Sequence, residues 1–143
     1  MREDTVRLLD DCAVGLCRTV WTIEELLPVI KDHTLRGRLR ESQQQYADLL
    51  ERSDRLLRQQ GRPGKASMTG AKGAAWLKAN AGMALRRDDT AAAYVMAEEC
   101  DRRVKALCRS RNLYCSAADH AVELSGEIIA YQEKLSRDMR PFL

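Results

Sequence analysis

The sequence predicts an all-α protein, a four-helix bundle, and two observations lead to that fold class. Long stretches carry small or apolar residues at alternating spacings of three and four, the heptad pattern of helices packed nearly lengthwise. No stretch sustains the strict alternation of apolar and polar residues that is typical of a strand. The pattern is clearest in the first helix, at Val6, Leu9, Ala13, Leu16, Val20, Ile23, Leu27 and Ile30.

Length and composition fit one domain over residues 1–143, with a core built mainly from aliphatic side chains. The chain is 45% hydrophobic and 31% charged, and its net charge of +3 demands neither a nucleic acid nor a membrane as partner. No segment approaches the roughly 18 to 20 apolar residues of a membrane span. The N-terminus is charged and carries no apolar signal region, so we expect a cytoplasmic protein.

The first predicted helix covers residues 4–30, with Asp4 or Thr5 as its N-cap. Pro28 should loosen its last turn, because proline cannot donate a backbone hydrogen bond. The first helix is therefore long enough to run the length of a small bundle.

A second helix is predicted over 35–60, after a short polar turn in which Asp32 or Thr34 is the N-cap. Gly61 ends it. The positions that should face the core repeat the heptad spacing, at Leu35, Leu39, Ser42, Tyr46, Leu49, Ser53 and Leu56. The short turn makes the first two helices an antiparallel hairpin.

The loop at residues 61–64 opens a long connection that contains a short extra helix over 71–85, rich in Ala and Gly. The third main helix is predicted over 90–111, with Asp88 or Asp89 as its N-cap. Its apolar stripe is less regular than the others, at Ala93, Met96, Cys100, Val104 and Leu107.

The fourth helix should begin at Ser116, whose side chain would cap it, with Asp119 three residues on in the capping-box position. Pro141 should end it. The third and fourth helices then form a second hairpin. Two hairpins joined by one long connection indicate a ferritin-like crossover, although a simple up-and-down path also fits the sequence.

The order of these features resembles a known family. The stretch over 23–32 leads into Leu35, Leu39, Tyr46, Leu49, Leu56, Leu57 and Gly61, followed by the segment 68–85, a short acidic break and the segment 91–107. This order resembles uncharacterised ferritin-like four-helix-bundle proteins of Firmicutes-type bacteria. The resemblance covers most of the chain. It implies the fold and a bacterial cytoplasmic setting, and it implies no established activity.

A ferritin-like bundle raises the hypothesis of a di-iron or di-manganese site, which needs Glu-x-x-His pairs pointing inward. The sequence contains no such pair, and its two histidines are His33 and His120. The nearest ligand group is His120, Glu123 and Glu127, which share one helical face and would need a fourth ligand from another helix. The alternative interpretation is a solvated flank. We therefore predict no catalytic, cofactor-binding or metal-ligating residues.

The five cysteines are odd in number and include no C-x-x-C pair, which favours reduced thiols over a zinc or redox site. They are Cys12, Cys17, Cys100, Cys108 and Cys115. The two tryptophans, Trp21 and Trp76, could either complete the edge of the core or anchor an interface.

One basic cluster lies on the third helix, where Arg102, Lys105 and Arg109 share a face. It could bind an anion or a nucleic acid, or it could be a solvated face suited to the negative end of the helix dipole. Three arginines at residues 36–40 could join it, depending on which end of the bundle each cluster occupies. No aromatic residues interleave the arginines, which disfavours single-strand binding by stacking.

The leading functional hypothesis is a non-enzymatic interaction module without a cofactor, which associates with itself or with a protein partner through helix faces. One alternative is a degenerate ferritin-like protein that binds a metal or a small ligand through His120, Glu123 and Glu127. The other is a protein that binds an anion or a nucleic acid through Arg102, Lys105 and Arg109. No membrane partner is expected.

Overall fold

The computed structural model describes residues 2–64 and 88–143, and most of these residues are helical. The helices are α1 (Arg2–Leu26), α2 (His33–Gln59), α3 (Asp89–Leu113) and α4 (Asp119–Met139), with 3₁₀ turns at Leu27–Val29 and Arg140–Phe142. No strand occurs within the two described ranges. The all-α, four-helix prediction is confirmed; the predicted short helix over 71–85 lies outside the described residues.

Two of the predicted N-caps are confirmed. The Asp32 carboxylate accepts the Leu35 amide at 2.9 Å, and the Asp88 carboxylate accepts the Ala91 amide at 2.7 Å. Pro28 lies in the 3₁₀ turn that follows α1. The α-helix therefore ends at Leu26 and not at residue 30, because proline cannot continue the hydrogen-bond ladder.

The predicted N-caps at the start of α1 and α4 are wrong, and one set of contacts explains both. The amide of Ser116 donates to the Asp4 carboxylate at 3.0 Å, and the amide of Ala118 donates to Thr5 Oγ1 at 2.8 Å. Asp4 and Thr5 lie inside α1 and hold the α3–α4 turn, while α4 begins at Asp119 with no side-chain cap. Tertiary contacts here replace the local capping pattern.

Contacts at the two ends of the bundle give the direction of each helix. Arg2 Nη2 donates to the Gln60 carbonyl at 2.9 Å, so α2 ends beside the start of α1. The Asp89 carboxylate accepts the amides of Lys31 and Asp32 at 2.8 and 3.0 Å, so α3 begins beside the end of α1. Helices α2 and α3 therefore run in the same direction. This order excludes a simple up-and-down path and fits two hairpins joined by a crossover.

The core follows the heptad positions closely, and α1 contacts each of the other three helices. Six of the eight predicted positions of the first helix are buried: Leu9, Ala13, Leu16, Val20, Ile23 and Ile30. Trp21 is also buried, which supports a place at the edge of the core; Trp76 lies outside the described residues. None of the described helices combines the length and hydropathy needed to cross a membrane.

Three buried side chains with a carboxylate or amide group do not belong to the predicted apolar pattern. Asp54 on α2 is 3% exposed, Glu99 on α3 is 2% exposed, and Gln132 on α4 is 1% exposed. Buried charged and amide groups are costly unless they are paired, so their surroundings are the first place to look for function.

Candidate functional site

A cleft of about 270 Å³ opens between α1 and α3, with α4 as its floor. Its volume lies just under the ~300–1,000 Å³ that is usual for drug-sized ligands, so it suits a smaller molecule. The lining residues that matter most are Asp11, Gly15 and Arg18 on α1, Arg103 on α3, and Ile128 and Gln132 on α4.

Gly15 leaves space beside Arg103. A Cβ added at Gly15 would lie 3.8 Å from Arg103 Cδ, which is an ordinary contact distance. A side chain longer than alanine at this position would therefore have to share the cleft with Arg103, since both residues line it.

A buried ion pair lies behind the cleft wall. Glu99 and Arg103 are four residues apart on α3, with Nε and Oε1 at 3.0 Å and side-chain exposures of 3% and 15%. The N–H is not directed at the carboxylate oxygen, and both atoms lack a hydrogen-bond partner within the described residues. Burial raises the pKa of Glu99 against the opposing effect of neighbouring arginines, and burial likewise lowers the pKa of Arg103.

Positive charge exceeds negative charge around this pair. Three guanidinium groups, those of Arg103, Arg102 and Arg18, act electrostatically on the Glu99 carboxylate. The cleft lining itself carries two arginines and one carboxylate, Asp11, and the Glu99 carboxylate that pairs with Arg103 lies behind it. Asp11 accepts a hydrogen bond from Ser110 Oγ at 2.7 Å, two helical turns along α1 from Arg18. Arg18 and Arg103 are thus the lining groups that could bind an anion.

Gln132 contributes an amide group to the floor of the cleft. Its Nε2 donates to Thr19 Oγ1 at 2.8 Å, and its Oε1 has no hydrogen-bond partner among the described residues. The oxygen is closed to solvent, so Gln132 is a buried amide at the floor of the cleft with one unpaired atom.

The three residues of the metal hypothesis are not arranged as a metal site. Glu127 forms a close ion pair with Arg52 of α2, and Glu123 is exposed. His120 Nε2 is buried without a hydrogen-bond partner in the described part of the chain. Within residues 2–64 and 88–143, no group of three or more His, Cys, Asp or Glu side chains is placed to hold a metal ion.

The predicted basic face of α3 is present, and it is solvated. Arg102, Lys105 and Arg109 are exposed and form no ion pair with any described residue. The arginines over 36–40 do not join this face. They lie at the end of the bundle where α3 begins at Asp89, whereas Arg102 is thirteen residues, or about 20 Å, further along α3.

None of the five cysteines forms a disulfide in the structure. Cys12, Cys17 and Cys100 are buried, and Cys108 and Cys115 are exposed. Burial raises the pKa of Cys12, on the wall of the cleft, to about 12, and burial also raises the pKa of Cys100. Both buried thiols are therefore protonated and poorly nucleophilic at neutral pH.

Exposed apolar side chains do not form one face in the described part of the chain. Tyr94 and Leu113 are 60% and 59% exposed, but they are separated by nineteen residues, or about 28 Å, along α3. The third, Leu143, is the last residue. The interaction-module hypothesis stays a prediction.

The chain matches no protein-family model, and no curated protein or solved structure is significantly similar to it. The resemblance to ferritin-like bundle proteins therefore also stays a prediction.

Sequence reasoning missed Glu99 and Gln132, although their spacing carried a signal. Glu99 follows the buried residues Ala92 and Met96 by seven and three positions, and Gln132 follows the buried Ile128 by four. Each therefore flanks a heptad seam. A polar residue at such a position is buried when a third helix covers the flank, as α1 does here.

Proposed function

We propose that this protein is a binding bundle that takes a small anionic molecule into the cleft between α1 and α3. The proposal rests chiefly on Arg103, which is 15% exposed and lines the cleft, with its side chain within contact distance of the position a Cβ would take at Gly15. A guanidinium in a desolvated site attracts an anion more strongly than the same group in water. Asp11 and Ser110 complete the polar lining.

A small anion fits these surroundings better than a nucleic acid. A phosphate backbone would contact the solvated face of Arg102, Lys105 and Arg109, where no aromatic side chain is interleaved for stacking. A small anion instead reaches Arg18 and Arg103 inside the cleft. The mechanism is reversible binding and involves no catalytic step.

We place this activity in the cytoplasm, because five free thiols suit a reducing compartment. Ligand binding between two helices of one chain is compatible with the self-association that the sequence predicts. Ligand binding does not require that self-association.

The experiment is a calorimetric titration of the full chain with sodium propionate and with sodium phosphate, at constant ionic strength. Gly15→Leu fills the cleft, and Gly37→Leu is its matched control on α2, where an added Cβ meets no atom within 4 Å. We expect saturable binding of at least one anion to the parent protein and to Gly37→Leu. Binding to Gly15→Leu should be at least about tenfold weaker. Lost contacts worth ~1.4 kcal/mol account for a factor of ten in affinity.

Two results would overturn the proposal. One is the absence of saturable binding of either anion to the parent protein. The other is equal affinity in Gly15→Leu and Gly37→Leu, which would move the anion to the solvated basic face. Circular dichroism of both variants verifies that the helices are intact.

A further inference from the structure

Glu99 controls how much positive charge the cleft presents to an anion. Its Oε1 lies 3.0 Å from Nε of Arg103, and Arg103 lines the cleft whereas Glu99 does not. An ionised Glu99 therefore offsets the charge of an arginine that would hold the anion. A protonated Glu99 would leave that positive charge to the anion.

The charged groups that act most strongly on Glu99 come from two helices. Arg103 and Arg102 lie on α3, as Glu99 does, and Arg18 approaches from α1. The residues that α4 contributes to the cleft are uncharged. Burial outweighs the three guanidinium groups and raises the pKa of Glu99, so this carboxyl takes up a proton more readily than an exposed one.

The contact between Glu99 and Arg103 is electrostatic and is not a hydrogen bond. Oε1 and Nε lie close together, yet neither atom has a hydrogen-bond partner among the described residues. Hydrogen bonds to a carboxylate favour its ionised form, and this oxygen receives none. The carboxyl is therefore free of a contact that would oppose its protonation at this oxygen.

An anion at Arg103 and the Glu99 carboxylate would share one guanidinium. Two like charges close together disfavour ionisation, so the anion raises the affinity of Glu99 for a proton. By thermodynamic linkage the proton raises the affinity for the anion by the same factor, and such factors are typically about five- to 150-fold. The direction of this coupling follows from the position of the two charges alone.

We infer that the cleft takes up its anion together with one proton, which binds to Glu99 while the anion binds to Arg18 and Arg103. The inference rests on the proposed function and adds the proton as a second ligand of the same site. An anion held by the arginines without Glu99 would bind independently of this proton.

The test is a calorimetric titration of the full chain and of Glu99→Gln with propionate and with phosphate, from about pH 6 to about pH 8. Each anion is measured on both proteins at the same pH, so its own ionisation cancels in the ratio of affinities. We expect the affinity of the parent relative to Glu99→Gln to fall about fivefold or more over this range. One proton limits the fall to about tenfold per pH unit.

Glu127→Gln is the matched control, because Glu127 pairs with Arg52 at the surface and not beside the cleft. This variant should keep the pH dependence of the parent. The histidines, His33 and His120, are present in all three proteins, so any effect of their titration also cancels in the ratio.

A second measurement uses the parent protein alone and does not depend on the folding of Glu99→Gln. Titrations in two buffers of different ionisation enthalpy, at the same pH, report the protons taken up from the buffer on binding. We expect the heat of binding to differ between the buffers wherever the affinity changes with pH, with uptake of up to one proton per anion.

The outcomes separate this inference from the proposed function. Saturable binding with a pH-independent ratio, or with equal heats in the two buffers, overturns this inference alone. Equal behaviour of Glu99→Gln and Glu127→Gln also overturns it, because the proton would then bind elsewhere. If neither anion binds the parent at any pH, the proposed function falls as well.

Discussion

Charged side chains are exposed at the contact between α2 and α4 and buried beside the contact between α1 and α3. Between α2 and α4, Arg52 pairs with Glu127 at the surface, with side-chain exposures of 37% and 50%. On the α1–α3 side, Glu99 and Arg103 are almost fully removed from water. Exposed pairs contribute about 0–1 kcal/mol to folding, and a buried pair is rarely the cheapest way to stabilise a core. The α2–α4 charges need no explanation beyond solubility, whereas the α1–α3 charges suggest binding.

The same two contacts differ in how their space is filled. Tyr46 of α2 is buried and packs edge-on against Tyr131 of α4, with ring centroids 6.5 Å apart. In the cleft between α1 and α3, the residue of α1 beside Arg103 is Gly15, which has no side chain. Aromatic rings fill one contact between helices, and a glycine beside an arginine lines the other.

The largest expected effect separates the two ion pairs. Arg103→Met should lower the free energy of unfolding by ~3–5 kcal/mol, because it removes the guanidinium that forms an ion pair with the buried Glu99 carboxylate. Arg52→Met should cost about 1 kcal/mol or less, because Glu127 stays in water. Urea unfolding monitored by circular dichroism measures both.

The double variant Glu99→Gln/Arg103→Met is the control for that comparison. It removes both buried charges and should recover at least half of the stability lost in Arg103→Met. Equal losses in Arg103→Met and Arg52→Met would mean that the two pairs are energetically alike, and the contrast between the two contacts would fail.

A second prediction concerns pH. Burial raises the pKa of Glu99 above its ordinary value of 4.5. Below pH 4.5 the carboxyl is protonated in both the folded and the unfolded chain, so burial has no pH-dependent cost there. As the pH rises, the unfolded chain ionises first and stability falls until the pH passes the raised folded pKa.

The stability of the parent protein relative to Glu99→Gln should therefore decline above pH 4.5. The decline is about 1.4 kcal/mol for every pH unit between 4.5 and the folded pKa of Glu99. Urea unfolding of both proteins at several pH values measures it. A difference that stays constant with pH would show that the arginine neighbours balance desolvation at this carboxyl, and one that grows with pH would show that they outweigh it.

A third, smaller effect tests how α1 holds the far end of the α3–α4 hairpin. Thr5→Val removes the acceptor of the Ala118 amide and should cost about 1 kcal/mol. Ser116→Ala should change stability by less than about 0.5 kcal/mol, since Ser116 is bound through its backbone amide and does not cap α4. Thermal unfolding of the two variants decides between the observed contact and the cap expected from sequence. A larger loss of stability in Ser116→Ala than in Thr5→Val would indicate that the Ser116 side chain caps α4.

The smallest effect concerns the open position itself. Gly15→Ala and Gly37→Ala should each raise the free energy of unfolding by ~0.5–1 kcal/mol, because neither Cβ meets a close neighbour. Chemical denaturation measures both. A loss of stability confined to Gly15→Ala would indicate that α1 and α3 pack more tightly at this level than the cleft implies.

The sequence anticipates the helices and most of the core, because heptad spacing and caps such as Asp32 and Asp88 are local signals. It does not predict that Thr5 Oγ1 accepts the Ala118 amide of the α3–α4 turn instead of capping its own helix. Nor did it anticipate the burial of Glu99 and Gln132. Their exposure depends on which neighbour covers the flank of a seam, and periodicity within one helix contains no information about that neighbour.

Side-chain contacts to backbone amides join the two hairpins at both ends of the bundle. Asp89 accepts the amides of Lys31 and Asp32 at one end, and Asp4 and Thr5 accept amides of the α3–α4 turn at the other. Each hairpin therefore supplies the acceptors at one end of the bundle and the backbone amides at the other, and this reciprocal arrangement opposes sliding of one hairpin along the other.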